Sequence, residues 1–429
     1  MSDGIRRAPA SLTGRVGRWR AVLAACALAL PASALLAGCA GSAGPAVTHA
    51  PTPASASTHL IQPAPARLTP SAHRSRSGSA VPPGFVPMSF SAVSVAHWWV
   101  LGSVPCGDRN CLRIVTTTDG GASFQSLPAP GAPFGPAGNA PPVAGQIRFA
   151  DARDGWVFGP GLYATHDGGR HWAAASVGGA VTDLEPGLGQ VFAVATPPEP
   201  PCARTGTCGA GAPAPRLWRT RPESDAWSPD PAAGGVSLGL AVHGRSVWIL
   251  DSMRTRGAPA IGTHLRHSAD GGDHFATQPG AIPAVACFYS PVSDTVLWSY
   301  CSGGHLMYAY ISADAGRHFS GVGPAAGTQP TPNSHPNGST LAAASPGTAV
   351  AASSLPGQPL IRSADGGARW TVVQKPPDGT GNWSVIGFTT PDTGYAFWQH
   401  PGATYAASTA RLWRTTDAGA TWSPVTALP

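Results

Sequence analysis

An eight-residue pattern recurs along the chain and constrains its fold more than any other feature. It reads Thr or Ser, any residue, Asp, any residue, Gly, two variable residues, then Trp or Phe. Six copies carry the Asp, at Asp119, Asp167, Asp270, Asp314, Asp365 and Asp417. A seventh copy, "TRPESDAW" from residue 220, keeps the Thr and the Trp but has Pro222 in place of Asp. The copies recur roughly every 50 residues, which is typical of a chain that folds as repeated units.

Each copy follows short runs of β-branched and aromatic residues. The most regular of these runs are "HWWVLG" from residue 97, "DGWVFG" from 154, "SVWILD" from 246 and "GYAFWQ" from 394. One unit therefore predicts a strand, a turn, a buried strand, a loop, a third strand, an Asp-Gly turn and a fourth strand. No sustained helical periodicity interrupts the pattern. Seven such units predict an all-β fold, a seven-bladed β-propeller of four-stranded antiparallel blades over residues 85–429.

The residue types of the octet indicate a structural role for its Asp. An Asp in a tight turn accepts hydrogen bonds from backbone N–H groups, and Gly adopts conformations that other residues avoid. The aromatic residue at the end of the octet is well placed to pack between blades. We therefore expect the six carboxylates to brace turns, and one Asp per turn offers too few oxygens for a calcium site.

The octet closely resembles the Asp-box, or BNR, repeat of sialidases and of propellers such as the photosystem II stability and assembly factor. Its pairing with a "GWVFG" type of strand is most similar to the second group, over roughly residues 85–429. The resemblance implies that the turns lie at the rim, outside any active site. It also implies a scaffolding role, although a fold does not by itself determine a function.

The first 39 residues indicate a lipoprotein signal peptide. Five Arg residues precede the apolar run "AVLAACALAL", and "LLAGC" ends at Cys39, the predicted site of lipidation. An ordinary signal peptide or an uncleaved anchor is the alternative. Residues 40–84 are rich in Ala, Pro, Ser and Thr and predict a disordered tether. Together these segments predict an exported bacterial protein, held by a lipid at the outer face of the cell membrane.

Charge and cysteine content limit the partners further. The net charge of +6 falls to +2 without residues 1–39, so nucleic acid is not an expected partner. Six of the eight Cys residues lie in the folded region as close pairs, which favours disulfides in an exported chain. The expected pairs, of which the third is the least constrained, are Cys106 with Cys111, Cys202 with Cys208, and Cys287 with Cys301.

Two functions remain open. The first is a non-enzymatic, monomeric scaffold that binds protein or glycan partners at the propeller face or at its long loops, with no catalytic residue, cofactor or metal. The loops are Pro- and Gly-rich and start near residues 128, 196 and 320. The alternative is an exo-acting, sialidase-like glycoside hydrolase. It is disfavoured because "CLRIVTT" lacks the Pro of the sialidase motif and because only Glu185, Glu199 and Glu223 supply glutamates.

Overall fold

Strands and turns make up the whole of the described structure. A computed structural model describes residues 80–107, 109–131, 145–159, 161–198, 215–230, 237–252, 263–279, 286–303, 306–324, 341–352, 356–400 and 409–428. No helix in these ranges is long and apolar enough to cross a membrane. The predicted signal peptide with Cys39, and the tether as far as residue 79, lie outside the described residues.

The strands form seven four-stranded antiparallel sheets, so the predicted fold class is confirmed. Blade 1 contains β1 (Val86–Ala92), β2 (Trp98–Cys106), β3 (Arg109–Thr117) and β4 (Gln125–Leu127). Blade 2 contains β5 (Gln146–Phe149), β6 (Gly155–Phe158), β7 (Leu162–Thr165) and β8 (Ala173–Ala175). Blade 3 contains β9 (Ala180–Pro186), β10 (Val191–Thr196), β11 (Arg216–Thr220) and β12 (Ser228–Pro229), and blade 4 contains β13 (Ser237–His243), β14 (Ser246–Ser252), β15 (Thr263–Ser268) and β16 (Ala276–Thr277).

Blade 5 contains β17 (Ala286–Pro291), β18 (Leu297–Gly303), β19 (Leu306–Ser312) and β20 (Ser320–Pro324). Blade 6 contains β21 (Leu341–Ser345), β22 (Thr348–Ala351), β23 (Leu360–Ser363) and β24 (Thr371–Gln374). Blade 7 contains β25 (Asn382–Phe388), β26 (Gly394–His400), β27 (Thr409–Thr415) and β28 (Ser423–Pro424). Every sheet is built from four consecutive strands, and none of the described sheets takes a strand from both ends of the chain.

This order places the turns of every blade at two opposite edges. In a four-stranded meander the connection between the first two strands and that between the last two lie at the same edge. All seven octets connect third to fourth strands, so they share one face of the ring with the turns between first and second strands. We call this face the turn face.

The hydrophobic core lies between neighbouring blades. Each second strand is almost fully buried because both of its faces are covered. Trp99 of blade 1 stacks on Phe149 of blade 2, with ring centroids 3.7 Å apart. The ring closes in the same way, because Trp98 of blade 1 packs on Tyr395 of blade 7 within one apolar cluster.

The aromatic residue of each octet packs against the preceding blade, as predicted. Trp227 of blade 3 contacts the cluster that contains Trp156 of blade 2, and Trp370 of blade 6 lies edge-on to Trp298 of blade 5. The other five occupy the corresponding positions, and they are Phe124, Trp172, Phe275, Phe319 and Trp422. The octet therefore joins blades as well as strands.

Candidate functional site: the central channel and the turn face

The six aspartates of the repeat adopt one shared geometry. In each turn the Ser or Thr hydroxyl donates to the Asp Oδ1 at 2.7–2.9 Å. The same oxygen accepts the backbone N–H four residues later at 2.9–3.0 Å. Burial opposes ionisation in most of them, but these hydrogen bonds hold the pKa of all six carboxyls below the usual value. We call these six turns the aspartate turns.

Each aspartate turn also ties its blade together and joins it to the preceding blade. The residue after the Asp has a positive φ and donates its N–H to a carbonyl of the first turn in the same blade, at 2.7–3.0 Å. In four turns its own carbonyl accepts a side-chain hydrogen bond from the preceding blade. Examples are Trp99 Nε1 to Gly168, at 3.1 Å, and Arg362 Nε to Ala418, at 2.8 Å. The carboxylates are therefore committed to structure.

Histidines extend three of these turns into solvent. His171, His274 and His318 each bond through Nδ1 to the other Asp oxygen of their turn, and each side chain is at least 84% exposed. They belong to blades 2, 4 and 5, so the ring holds them apart. No group of three His, Cys, Asp or Glu side chains that could hold a metal occurs among the described residues.

Blade 3 lacks the aspartate and is held by a different set of contacts. The Thr220 hydroxyl, which would bond the Asp, donates instead to the carbonyl of Ser224 at 2.9 Å. His166 of blade 2 lies between Asp154 and Asp225, with Nδ1 2.7 Å from Asp154 Oδ1 and Nε2 3.4 Å from Asp225 Oδ2. Burial lowers the pKa of His166, but the two carboxylates outweigh it and raise that pKa. The turn of blade 3 that lacks the Asp is thus held to blade 2 by the electrostatic attraction between Asp225 and His166.

A central channel of about 1000 Å³ runs inside the ring. Its walls come mainly from the first strands of blades 1, 2, 3, 4, 5 and 7. The lining reaches the residues that directly follow these strands, including Val93, Ala150, Gly187 and Thr389, so the channel extends to the turn face. Leu188, next to one of them, is 72% exposed. A cavity of this size is large enough to take a small ligand or a chain segment.

The channel wall is about half apolar and half polar, and one sector of it carries charge. Phe90, Phe149, Phe288 and Phe388 are among the apolar lining residues. The charged sector contains Arg148 from β5 and Asp183 and Glu185 from β9. Because Asp183 and Glu185 are two residues apart on one strand, both leave the strand on the same face.

The three charged side chains join blade 3 to both of its neighbours. Arg148 Nε donates to Glu185 Oε1 at 3.1 Å, across the joint between blades 2 and 3. Asp183 Oδ2 accepts the backbone N–H of Leu240 in blade 4 at 3.1 Å, and its Oδ1 accepts that of Leu184 at 3.0 Å. About a quarter of the Arg148 side chain and a third of the Glu185 side chain remain accessible from the channel.

One carboxylate of this sector lacks a full counter-charge. Burial, and then the neighbouring Glu185, raise the pKa of Asp183 to about 7, although Arg148 and two backbone N–H groups oppose the rise. Two carboxylates therefore share a single guanidinium, and Asp183 keeps its proton to a higher pH than an ordinary Asp. A carboxyl of this kind can donate a hydrogen bond, exchange a proton or meet a cation.

Sequence comparison identifies no relative, since no protein-family model and no curated protein matches the chain. Structural comparison finds YCF48 bound to D1 peptide, 17% identical, with 79% of this chain and 95% of that chain covered and a TM-score of 0.47. It also finds a puromycin-hydrolyzing peptidase of Mycobacterium tuberculosis, 13% identical, with 80% and 53% covered and a TM-score of 0.54. A third match is the β-propeller domain of the Trilobed protease from Pyrococcus furiosus, 9% identical, with 80% and 95% covered and a TM-score of 0.52.

These likenesses show the propeller fold alone. The chain spans about half the length of the peptidase. Any activity of this chain has to be argued from its own residues.

Two of the three predicted disulfides are present. Cys106 bonds to Cys111 across the turn between β2 and β3, and Cys287 bonds to Cys301, its directly paired partner on β18. Cys287 also lines the channel, so this disulfide braces the wall of blade 5. Cys202, Cys208 and most of the three long loops lie outside the described residues.

Sequence reasoning alone did not single out the charged sector. Glu185 entered it only as one of three glutamates. The available signal was the alternation in "TDLEP", which places two acids on the same face of a first strand.

Proposed function

We propose that this protein is an exported, lipid-anchored binding scaffold that acts without catalysis on protein or glycan partners. The channel that opens at the turn face, with its charged sector beside aromatic and uncharged polar side chains, carries the proposal. Apolar walls with a few oriented polar groups are typical of binding sites. The aspartate turns provide rigidity, because their carboxylates are used within the fold.

Export and anchoring are part of the same proposal and rest on the N-terminal sequence. If Cys39 is lipidated, membrane fractions of the native host should contain the protein, and Cys39→Ala should move it to the soluble fraction. Unchanged fractionation of the variant would argue against the anchor.

A blocked channel tests the binding function. Thr182 lines the channel and is exposed within it, whereas Ala174 is exposed on the outer strand β8. Thr182→Trp should abolish binding to any ligand found on peptide and oligosaccharide arrays, and Ala174→Trp should leave binding intact. Equal binding by both variants would place the binding surface outside the channel.

Glycoside hydrolysis remains the second candidate because Asp183 and Glu185 place two carboxyl groups in one cavity, and burial raises the pKa of Asp183. A panel of fluorogenic glycosides tests it directly. The scaffold proposal expects no turnover. Turnover that Asp183→Asn or Glu185→Gln abolishes, and that Asp365→Asn leaves unchanged, would establish a hydrolase instead.

A further inference from the structure

The charged sector of the channel contains two carboxyl groups but one guanidinium group. Asp183 and Glu185 face the same cavity, and the only cationic side chain that lines it within the described residues is Arg148. Arg148 is engaged by Glu185 through its Nε and by the carbonyl of Ile147 through its Nη1, at 3.0 Å. Among the described residues, the hydrogen-bond donors to the Asp183 carboxyl are the backbone N–H groups of Leu240 and Leu184. A cation that enters the channel would therefore meet two carboxylates that have one guanidinium between them.

The surroundings specify what kind of cation fits. Aromatic side chains from blades 1, 2, 5 and 7 line the same cavity, so a hydrated metal ion would lose water without gaining enough oxygen ligands. A primary ammonium on an aliphatic stem suits such a wall, because its methylene groups pack on apolar surface while its three donors reach the carboxylates. The exposed Leu188 at the mouth adds apolar surface for the residues that flank such a side chain.

We infer that the channel binds a lysine side chain of a partner protein, presented on an apolar segment, with its ammonium group placed between Asp183 and Glu185. This inference rests on the proposed binding function and narrows it to one class of partner. Binding of the lysine side chain would also change the protonation of Asp183. The ammonium favours the ionised form of Asp183, so the carboxyl releases to solvent the proton it carries.

Three matched probes test the inference on the wild-type protein. They are octapeptides with a central lysine, acetyl-lysine or norleucine between phenylalanines, which differ in charge but little in shape. The lysine peptide should bind about 30-fold more tightly than either neutral peptide, as expected when a buried charge loses its partner. Calorimetry at pH 7 in two buffers of different ionisation enthalpy should show a net release of protons on binding of the lysine peptide, because burial and Glu185 raise the pKa of Asp183 in the free protein.

Variants assign the effect to the site. Asp183→Asn should remove both the proton release and most of the preference for lysine, whereas Asp365→Asn in an aspartate turn should change neither. Glu185→Gln should reduce the preference for lysine. Circular dichroism and thermal melting of each variant separate a lost site from a lost fold.

The outcomes distinguish this inference from the proposed function. Equal binding of the charged and neutral peptides, or lysine binding that survives both Thr182→Trp and Asp183→Asn, overturns the lysine site and leaves a binding scaffold in place. Binding of a chitosan tetramer without binding of the lysine peptide also overturns it, because the amine would then belong to a glycan. Hydrolysis of a glycoside by the wild-type protein overturns the proposed function itself.

Discussion

Arg414 of the last blade donates a hydrogen bond from Nη1 to the backbone carbonyl of Gly120 in the first blade, 3.0 Å away and 294 residues apart in sequence. It repeats, at the seam of the ring, the contact that Arg362 makes with the aspartate turn of the next blade. The seam between blades 7 and 1 is therefore built like an internal joint.

Removal of this contact should weaken the seam. Arg414→Ala leaves the carbonyl of Gly120 without its side-chain partner, and we expect a loss of about 1–3 kcal/mol in the free energy of unfolding. Arg411 lies on the same strand but is exposed, so Arg411→Ala should stay within about 0.5 kcal/mol of wild type. Urea denaturation measures both. Equal stability of the two variants would contradict a structural role for Arg414.

Two adjacent glycines in the turn of blade 6 should differ sharply in their tolerance of a methyl group. Both have a positive φ, +70° at Gly366 and +89° at Gly367. A Cβ at Gly366 meets open space, but one at Gly367 overlaps the side chain of Val322 in blade 5. Gly366→Ala should cost roughly 0.5 kcal/mol, because the backbone strain outweighs the entropy that glycine loses on folding, and Gly367→Ala should cost at least about 1 kcal/mol more. Thermal unfolding of the pair tests this, and a Gly366 variant as unstable as the Gly367 variant would refute it.

Replacing Ala418 with glycine should stabilise the protein. Ala418 has a φ of +56° at a position where four of the six aspartate turns have glycine. Relief of that strain outweighs the entropy that glycine gains in the unfolded chain, so we expect roughly 0.5 kcal/mol. The same change at Ala174, within the exposed strand β8, should destabilise by about as much. A melting temperature that falls for Ala418→Gly would show that its methyl group contributes more than its strain costs.

Acid should destabilise the ring through the aspartate turns. The pKa of each of the six carboxyls is lower in the folded than in the unfolded chain. Each therefore contributes stability above the unfolded pKa, about 3.9, and loses it as the pH falls through the folded value. For Asp314 that value is about 2. Urea titrations from pH 6 to pH 2 should show a progressive loss that is shallower in Asp365→Asn, and equal slopes would contradict the assignment.

The sequence predicts most of this architecture because its local chemistry repeats. Each octet specifies a turn through a hydroxyl, a carboxylate and a glycine, and seven copies specify the number of blades. The aromatic residue could be assigned to the joint between blades because a large side chain after a tight turn needs a neighbour to cover it. Erosion of the third copy at Pro222 indicated that a blade can dispense with the carboxylate.

The channel could not be predicted in the same way. Arg148 and Glu185 lie in different blades, and their pairing depends on how neighbouring first strands are aligned, which no local pattern encodes. The contacts that replace the missing aspartate in blade 3 also depend on how neighbouring blades pack, and no local pattern encodes them. His166 and Asp225 are 59 residues apart, and the packing of blade 3 against blade 2 brings them together.

Each described sheet consists of four consecutive strands, and this has a consequence for how the protein folds during synthesis. Because each described sheet uses one continuous stretch of chain, a blade can complete its backbone hydrogen bonds as soon as its own residues have left the ribosome. No early strand has to wait, unpaired, for a partner from the C-terminus. Only the seam between blades 7 and 1, where Trp98 packs on Tyr395 and Arg414 bonds to Gly120, needs both ends of the domain, so the last step of folding is the meeting of two finished surfaces.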